Sequence, residues 1–338
     1  NAWLGSLIPL LVAGVAYQLS KRRSYALVAA LLVSLDGLLL VESRYALMSI
    51  HVLFWGLAGH YFCLLGLDSK QRQRRFLWLL LTGVCLGASA AVKWYGLGFW
   101  LGLVGLWHLA DLKFSKFVAY LVAVPTITYS LSWVIHLRQN PNIGFIGVHR
   151  KILGFHLAVA QYEHADKSSW WTWPLHLRPM TYLYQKTPGS TSVIYNVHGM
   201  GNPVLWWLST AALIGLVVIM AARQWSRRQR SNTSTQPPQV LWVGGYVLVN
   251  YIANWIPWSQ VGRTAFLYYY LNAAVFSFMG LAWFVDMGLC SSRRWPKILS
   301  VSVIALLLAA FIFWLPIYLG LPLDLAEFNR RMWLKPWY

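Results

Sequence analysis

Residues 254–274 read NWIPWSQVGRTAFLYYYLNAA, in which one arginine, Arg263, stands between two apolar runs and is followed by three consecutive tyrosines. A cation at such a boundary is costly unless an anion or a polar surface meets it. The runs on either side decide the fold. Of 338 residues, 58% are hydrophobic and only 11% charged, a balance that excludes an ordinary soluble domain and points to an integral membrane protein.

Crossing a bilayer takes about 20 apolar residues per helix. By that rule the chain contains about ten spans, at 3–19, 25–42, 50–67, 77–92, 95–111, 117–135, 204–222, 239–257, 265–286 and 298–318. The runs are continuous rather than alternating, which excludes a membrane β-barrel. The expected fold is all-α: a polytopic transmembrane helix bundle forming one domain over 1–338, with a long outer loop at 136–203.

Sidedness follows from the loops. Five short connections, SKRRS, DSKQRQRRF, DLKFSKF, RQWSRRQRSNTSTQPPQ and CSSRRWPK, hold 16 of the 28 lysines and arginines, so they face the cytoplasm. ESRYALMSI, VKWYG, the 68-residue loop 136–203, PWSQVGR and the tail from Pro322 face outward. Chemistry is therefore expected on the outer face. The net charge of +19 is distributed in short clusters between apolar runs, the pattern of topology signals and lipid-headgroup contacts rather than of nucleic-acid binding. Cys63, Cys85 and Cys290 have no metal-ligand spacing, and no metal is expected. The chain opens on Asn1 with no visible signal peptide, so a preceding piece is expected to be missing.

The chain has only nine acids. Asp68, Asp111 and Asp286 fall at inner helix ends and are expected to be solvated or paired with neighbouring bases, and Asp324 and Glu327 lie in the tail. Asp36, Glu42, Glu163 and Asp166 remain as outer-side acids that could act as general bases. Asp36, inside the second predicted helix and on the face of Arg44, must point into the bundle, where a structural hydrogen bond to another helix is its simplest role. Three bases recur at outer helix ends: Arg44 in VESRYAL, Lys93 in AVKWYGLG and Arg263 in QVGRTAF. Each alone could snorkel to lipid headgroups. Together they suit a phosphate held at the bilayer surface, with arginine offering a fork and lysine a point charge.

The outer loop adds SSWWTWPLHLRPMTYLY, where Trp170, Trp171 and Trp173 precede Arg178. Tryptophans at a membrane edge serve as interfacial anchors, and the same cluster suits stacking on a sugar face. Trp94, Trp171, Trp173, Arg178, Tyr268 and Tyr270 are the candidates for the sugar and acceptor side. No Walker loop, HExxH, CxxC or nucleophile elbow occurs, so the usual signals of nucleotide hydrolysis, zinc proteolysis and serine hydrolysis are missing.

Five segments, LLLVESRYALMSI, ASAAVKWYGLGF, WWTWPLHLRPMTYLY, GNPVLWW and NWIPWSQVGRTAFLYYYLNAA, together resemble the bacterial, particularly cyanobacterial-type, branch of the protein O-mannosyltransferases, membrane glycosyltransferases of the GT-C class. The resemblance runs in order from about residue 25 to 285. It implies eleven spans, one of them and the first outer loop lying before Asn1, with the active site on the extracytoplasmic face of the bacterial plasma membrane. It implies transfer of mannose, with inversion and without a cofactor, from polyprenyl-phosphate mannose to serine or threonine hydroxyls of acceptor proteins. The β-trefoil insert of eukaryotic relatives is replaced here by the 68-residue loop. By position, Arg44 matches the family's Ser-Arg motif, Lys93 its Lys-Trp motif and Arg263 the Gly-Arg before an aromatic-rich helix, which would make all three donor-phosphate residues.

There are departures as well. Ser49 stands where the family has Asp, and Tyr269 and Asn272 stand where it often has His and Pro. The family's catalytic Asp-Glu motif lies in the first outer loop, so the catalytic base is expected upstream of Asn1. Two other readings remain at this point: a related transferase acting on a lipid, as in aminoarabinose transfer to lipid A, and a polytopic transporter. Against the transporter, no internal repeat is visible and the charges cluster at one face.

Overall fold

In lipid no water is present to pair with backbone N–H and C=O groups, and a helix satisfies them within one segment. The computed structural model describes residues 1–109, 118–158, 163–187, 193–229 and 239–338. The first half forms α1 (Ala2–Ser20), α2 (Arg23–Ser34), α3 (Gly37–Arg44), α4 (Ser49–Asp68), α5 (Arg72–Val92) and α6 (Leu97–Leu109). A π-helical turn at Val118–Ala123 leads into α7 (Val124–Ser132), α8 (Val134–Gln139) and α9 (Gly144–Ala158). After strands β1 (Met180–Lys186) and β2 (Ile194–Gly199) come α10 (Pro203–Gln229), α11 (Gln239–Trp255), α12 (Leu271–Leu289) and α13 (Arg294–Leu319), and then β3 (Pro322–Leu323) and α14 (Leu325–Arg331).

Seven of the described helical segments are long and apolar enough to cross a membrane, or eight if the bent pair α2–α3 is one span. The ten expected spans differ at two places. Helix α11 begins at the edge of the described region and has 17 described residues, and α6 runs 13 residues to such an edge, so neither described segment reaches the length of a full span. The basic connection 111–117 and the polar linker 231–238 lie outside the described residues. The run 25–42 is also not one straight helix. It breaks at Leu35–Asp36 with a bend of 62°, because Asp36 leaves helical geometry and caps α3, its carboxylate accepting from the Leu39 amide at 3.0 Å.

Burial separates centre from rim. The segment Leu267–Leu289 is 83% buried, against 22% for α13 and 6% for Val118–Gln139. Helix α12 is apolar all round and packs against α2, α10, α11 and α13, as a central helix must. Helices α6 and α11 approach closely because Gly98 and Gly102 face Asn254 and Asn250 and leave no room for a Cβ. At one end of the bundle, buried Asp286 pairs with Arg22 at 2.8 Å and exposed Asp68 with Lys21 at 3.0 Å.

A small sheet, not expected from the sequence, covers the opposite end. It runs β1-β2-β3, antiparallel, pairing Met180 with Gly199 and Ile194 with Leu323. Strands this short lie below what a hydropathy pattern resolves. The pairing joins the long loop to the tail, two segments that loop charge had already placed on one side.

The tail is docked through two buried histidines. His198 donates from Nε2 to the Trp337 carbonyl (3.0 Å), His176 Nε2 accepts from the Gly201 amide (3.0 Å), and Trp337 Nε1 donates to the His176 carbonyl (3.1 Å). Burial pushes His198 down to about 4. Burial, followed by the charge of His198, pushes His176 down to about 3. Both side chains are therefore neutral in the fold, and their contribution is complete above the ordinary value of about 6.5. As pH falls below that, the unfolded chain takes up protons that the fold refuses, and stability declines by up to about 1.4 kcal/mol per pH unit for each histidine. The melting temperature of the detergent-purified protein should fall steadily between about pH 6.5 and 4.5, and His198→Gln should flatten that fall. An unchanged slope in the variant would refute the assignment.

Candidate active site

Helix α5 stops at Val92 because Lys93 adopts an extended backbone, φ −156° and ψ 142°, before a single 3-10 turn at Trp94–Gly96. Its ammonium comes to rest 5.7 Å from the ring centre of Tyr268, 5.9 Å from Tyr95 and 6.0 Å from Tyr269. From the other side the Arg263 guanidinium lies 5.2 Å from the same Tyr269 ring and 5.9 Å from Trp258. Arg263 also donates to the Tyr269 hydroxyl at 3.2 Å, and Trp258 stacks on Tyr269 with ring centres 4.4 Å apart. Two cations thus share one aromatic ring.

Each such contact contributes roughly 0.5–2 kcal/mol, depending on desolvation. What the pair lacks is an ion partner. Lys21, Arg22, Lys167, Arg330 and Arg331 all reach carboxylates, whereas among the described residues no carboxylate oxygen comes within 4.0 Å of Lys93 or Arg263. Burial and the charge of Arg263 hold His156 of α9 below its ordinary range.

Arg263 also lines a cavity of about 620 Å³, walled by Trp170, Trp171, Trp258, Lys167 and Arg178. The long loop is held to this wall by two hydrogen bonds: the Ser168 amide donates to the Ala265 carbonyl (2.8 Å) and the Trp255 indole Nε1 to the Trp170 carbonyl (2.9 Å). Of the sugar and acceptor candidates, Trp171 and Arg178 are exposed and line this cavity, and Tyr268 lies under Lys93.

The structure does not bring the other candidates there. Trp173 is fully buried, donates to Ser168 Oγ at 2.9 Å and packs on Trp258. Tyr270 is buried and bonded to the Tyr251 hydroxyl at 2.9 Å. Trp94 donates to the Tyr129 hydroxyl (2.9 Å) and stacks on His149. Arg44 points elsewhere: its guanidinium donates to the Tyr318 carbonyl at 2.8 Å and the Leu319 carbonyl at 3.5 Å, the last two of α13. Asp36 is a buried structural acceptor for Trp206 Nε1 (2.8 Å) and the Asn202 amide (3.3 Å). The acid pair of the outer loop is engaged locally, Glu163 by Lys167 and Asp166 by His164; the bond from Lys167 and its charge hold Glu163 below the usual carboxylate range.

Sequence reasoning missed Tyr269 and Tyr182. In a run of three tyrosines the 3-10 turn Leu267–Tyr270 aims each ring differently, and no periodicity tells which one meets the cations. The Tyr182 hydroxyl donates to Glu42 Oε1 across 140 residues, a contact without any local signal.

Residues 1–146 match the family model for dolichyl-phosphate-mannose-protein mannosyltransferase, and residues 143–337 that for the C-terminal four TMM region of protein-O-mannosyltransferase. The polyprenol-phosphate-mannose–protein mannosyltransferase of Mycolicibacterium smegmatis is 24% identical over all of this chain and 76% of its own length. The corresponding Corynebacterium glutamicum protein is 23% identical over 99% of this chain and 76% of its own. Among solved structures, the Saccharomyces cerevisiae Pmt1-Pmt2 complex bound to the sugar donor matches with a TM-score of 0.82 at 14% identity, over 99% of this chain and 80% of that one. At that identity the likeness speaks for the fold alone.

Proposed function

The chain belongs to the protein O-mannosyltransferase family, and from that premise we propose that it transfers mannose from polyprenyl-phosphate mannose to serine and threonine hydroxyls of proteins, at the extracytoplasmic face of a bacterial plasma membrane. One observation carries the assignment of the site: Lys93 and Arg263 face a single tyrosine ring without a carboxylate partner. Two half-buried cations on either side of an aromatic ring form a receptor for an anion that arrives from outside, here the phosphate of the lipid-linked donor.

In the reaction the acceptor oxygen forms a bond to the anomeric carbon while the bond from that carbon to the phosphate oxygen breaks. The phosphate leaves with the electron pair, and Lys93 and Arg263 stabilise the charge it gains. The hydroxyl proton passes to a carboxylate base, and no cofactor is required. The cavity beside Arg263, with exposed Trp171 and Arg178 on its wall, receives the reacting end of the donor together with the acceptor segment, and positioning there lowers the entropic part of the barrier.

The test is direct. Full-length protein in liposomes is given polyprenyl-phosphate [3H]mannose and a serine- and threonine-containing peptide, and label should appear on the peptide. Label transferred only to lipid, or no transfer above protein-free liposomes, refutes the proposal.

A further inference from the structure

The cavity beside Arg263, about 620 Å³ in volume, carries a charge that the transfer of mannose does not use. Four of its described lining residues are charged: Glu163, Lys167, Arg178 and Arg263. Glu163 and Lys167 pair with each other and cancel. Arg263 faces the Tyr269 ring and is assigned to the donor phosphate. Arg178 is left over. It stands exposed on the wall, and among the described residues it makes neither an ion pair nor a side-chain hydrogen bond.

The backbone that carries Arg178 is fixed from both sides. Two residues earlier, buried His176 turns the chain with a left-handed backbone, φ 56° and ψ 41°, and its Nε2 accepts from the Gly201 amide at 3.0 Å. Two residues later, Met180 opens β1 and pairs with Gly199. Pro179 between them is buried, and a proline restricts the residue before it to extended backbone. The His176 carbonyl also accepts from Trp337 Nε1 at 3.1 Å, which brings Pro336 of the tail to the same wall. With Trp171, which is 57% exposed, Pro336 gives the cavity apolar surface for a peptide to lie against. A cation on so fixed a backbone is pre-organised for a ligand.

The chemistry of the two substrates decides which ligand. Mannose is neutral, and the donor has one phosphate, already met by Lys93 and Arg263, so a further cation finds no partner there. A peptide acceptor brings anions as aspartate and glutamate side chains, whose paired oxygens match the guanidinium fork. We propose that this cavity selects acidic acceptor segments, Arg178 receiving a carboxylate that flanks the reacting serine or threonine. The inference deepens the reading of the cavity as the place where acceptor meets donor, and rests on it.

The experiment gives full-length protein in liposomes of neutral lipid a labelled polyprenyl-phosphate mannose and serine peptides identical but for one residue, glutamate, glutamine or lysine, moved in turn along the positions flanking the serine. At one or two positions kcat/KM for the glutamate peptide should exceed that for the glutamine peptide by about fivefold, the scale of an exposed ion pair. Arg178→Gln should bring that ratio to within about twofold of one, and Arg178→Glu should reverse the order of the glutamate and lysine peptides. Arg330→Gln, which removes an exposed charge of the tail outside the cavity lining, should leave the ratio where it is. Equal kcat/KM for the three peptides, a ratio that survives Arg178→Gln, an equal loss for all three in that variant, or the same shift in Arg330→Gln overturns the inference. Should the Arg178 variants fail to fold, the wild-type series decides, and a preference that is absent, or the same at every position, overturns it. No label on any peptide sinks the transfer reading itself; label on all of them without regard to charge sinks this inference alone.

Discussion

Alanine at Arg263 is expected to lower kcat/KM for mannosyl transfer by at least about thirtyfold, with melting temperature little changed. Removing one partner of a desolvated charge contact costs about 2–5 kcal/mol, and every 1.36 kcal/mol is tenfold in rate. Arg263 is suited to that role because, among the described residues, its one hydrogen bond is to the Tyr269 hydroxyl, leaving the rest of its five-donor fork for a phosphate. Lys93→Ala should do comparable damage. The double variant should lose less than the product of the two, since both cations act on one anion across one ring. Arg263→Lys keeps the charge but not the fork and should recover only part of the loss. Arg44→Ala is the contrast: its guanidinium is bonded to the last carbonyls of α13, so it should lower stability by about 1–2 kcal/mol and leave donor KM unaltered. Wild-type turnover in Arg263→Ala at normal expression would remove the phosphate site from this position.

The physical reasons why some features were legible in the sequence and others were not are specific. Apolar runs announce helices because the bilayer rewards only continuous apolar surface, so the bundle and the positions of Lys93 and Arg263 at its boundary could be read directly. The resemblance of five separated motifs likewise reached the family. Arg44 matched a motif equally well, but whether a boundary arginine faces a ligand or a neighbouring helix end depends on α13, 274 residues away, and nothing local records that. The choice among Tyr268, Tyr269 and Tyr270 depends on a 3-10 turn, and sequence spacing does not distinguish it from the α-helix that follows. Glu42 could be named among the outer acids, but its burial against Tyr182 depends on a sheet whose strands are too short to leave a hydropathy signature.

Asp36→Ala should cost about 3–5 kcal/mol, to be measured as denaturant or thermal unfolding in detergent. Its Oδ1 accepts from Trp206 Nε1 and the Asn202 amide, and its Oδ2 from the Leu39 amide; alanine leaves three buried donors without partners. Asn202 extends the same knot, its side-chain amide donating to the Leu35 carbonyl (3.3 Å) and the Leu307 carbonyl (3.0 Å), so that the α2–α3 bend, the start of α10 and the middle of α13 are held together. Asp36→Asn keeps a carbonyl oxygen for Trp206 and Asn202 but loses the cap on α3, and should cost only about 1 kcal/mol. The 62° bend sets the direction of α3, and α3 carries Glu42 to Tyr182, so the same knot fixes how α3 meets the sheet. Equal stability of the two variants would show that the knot is not what holds the bend.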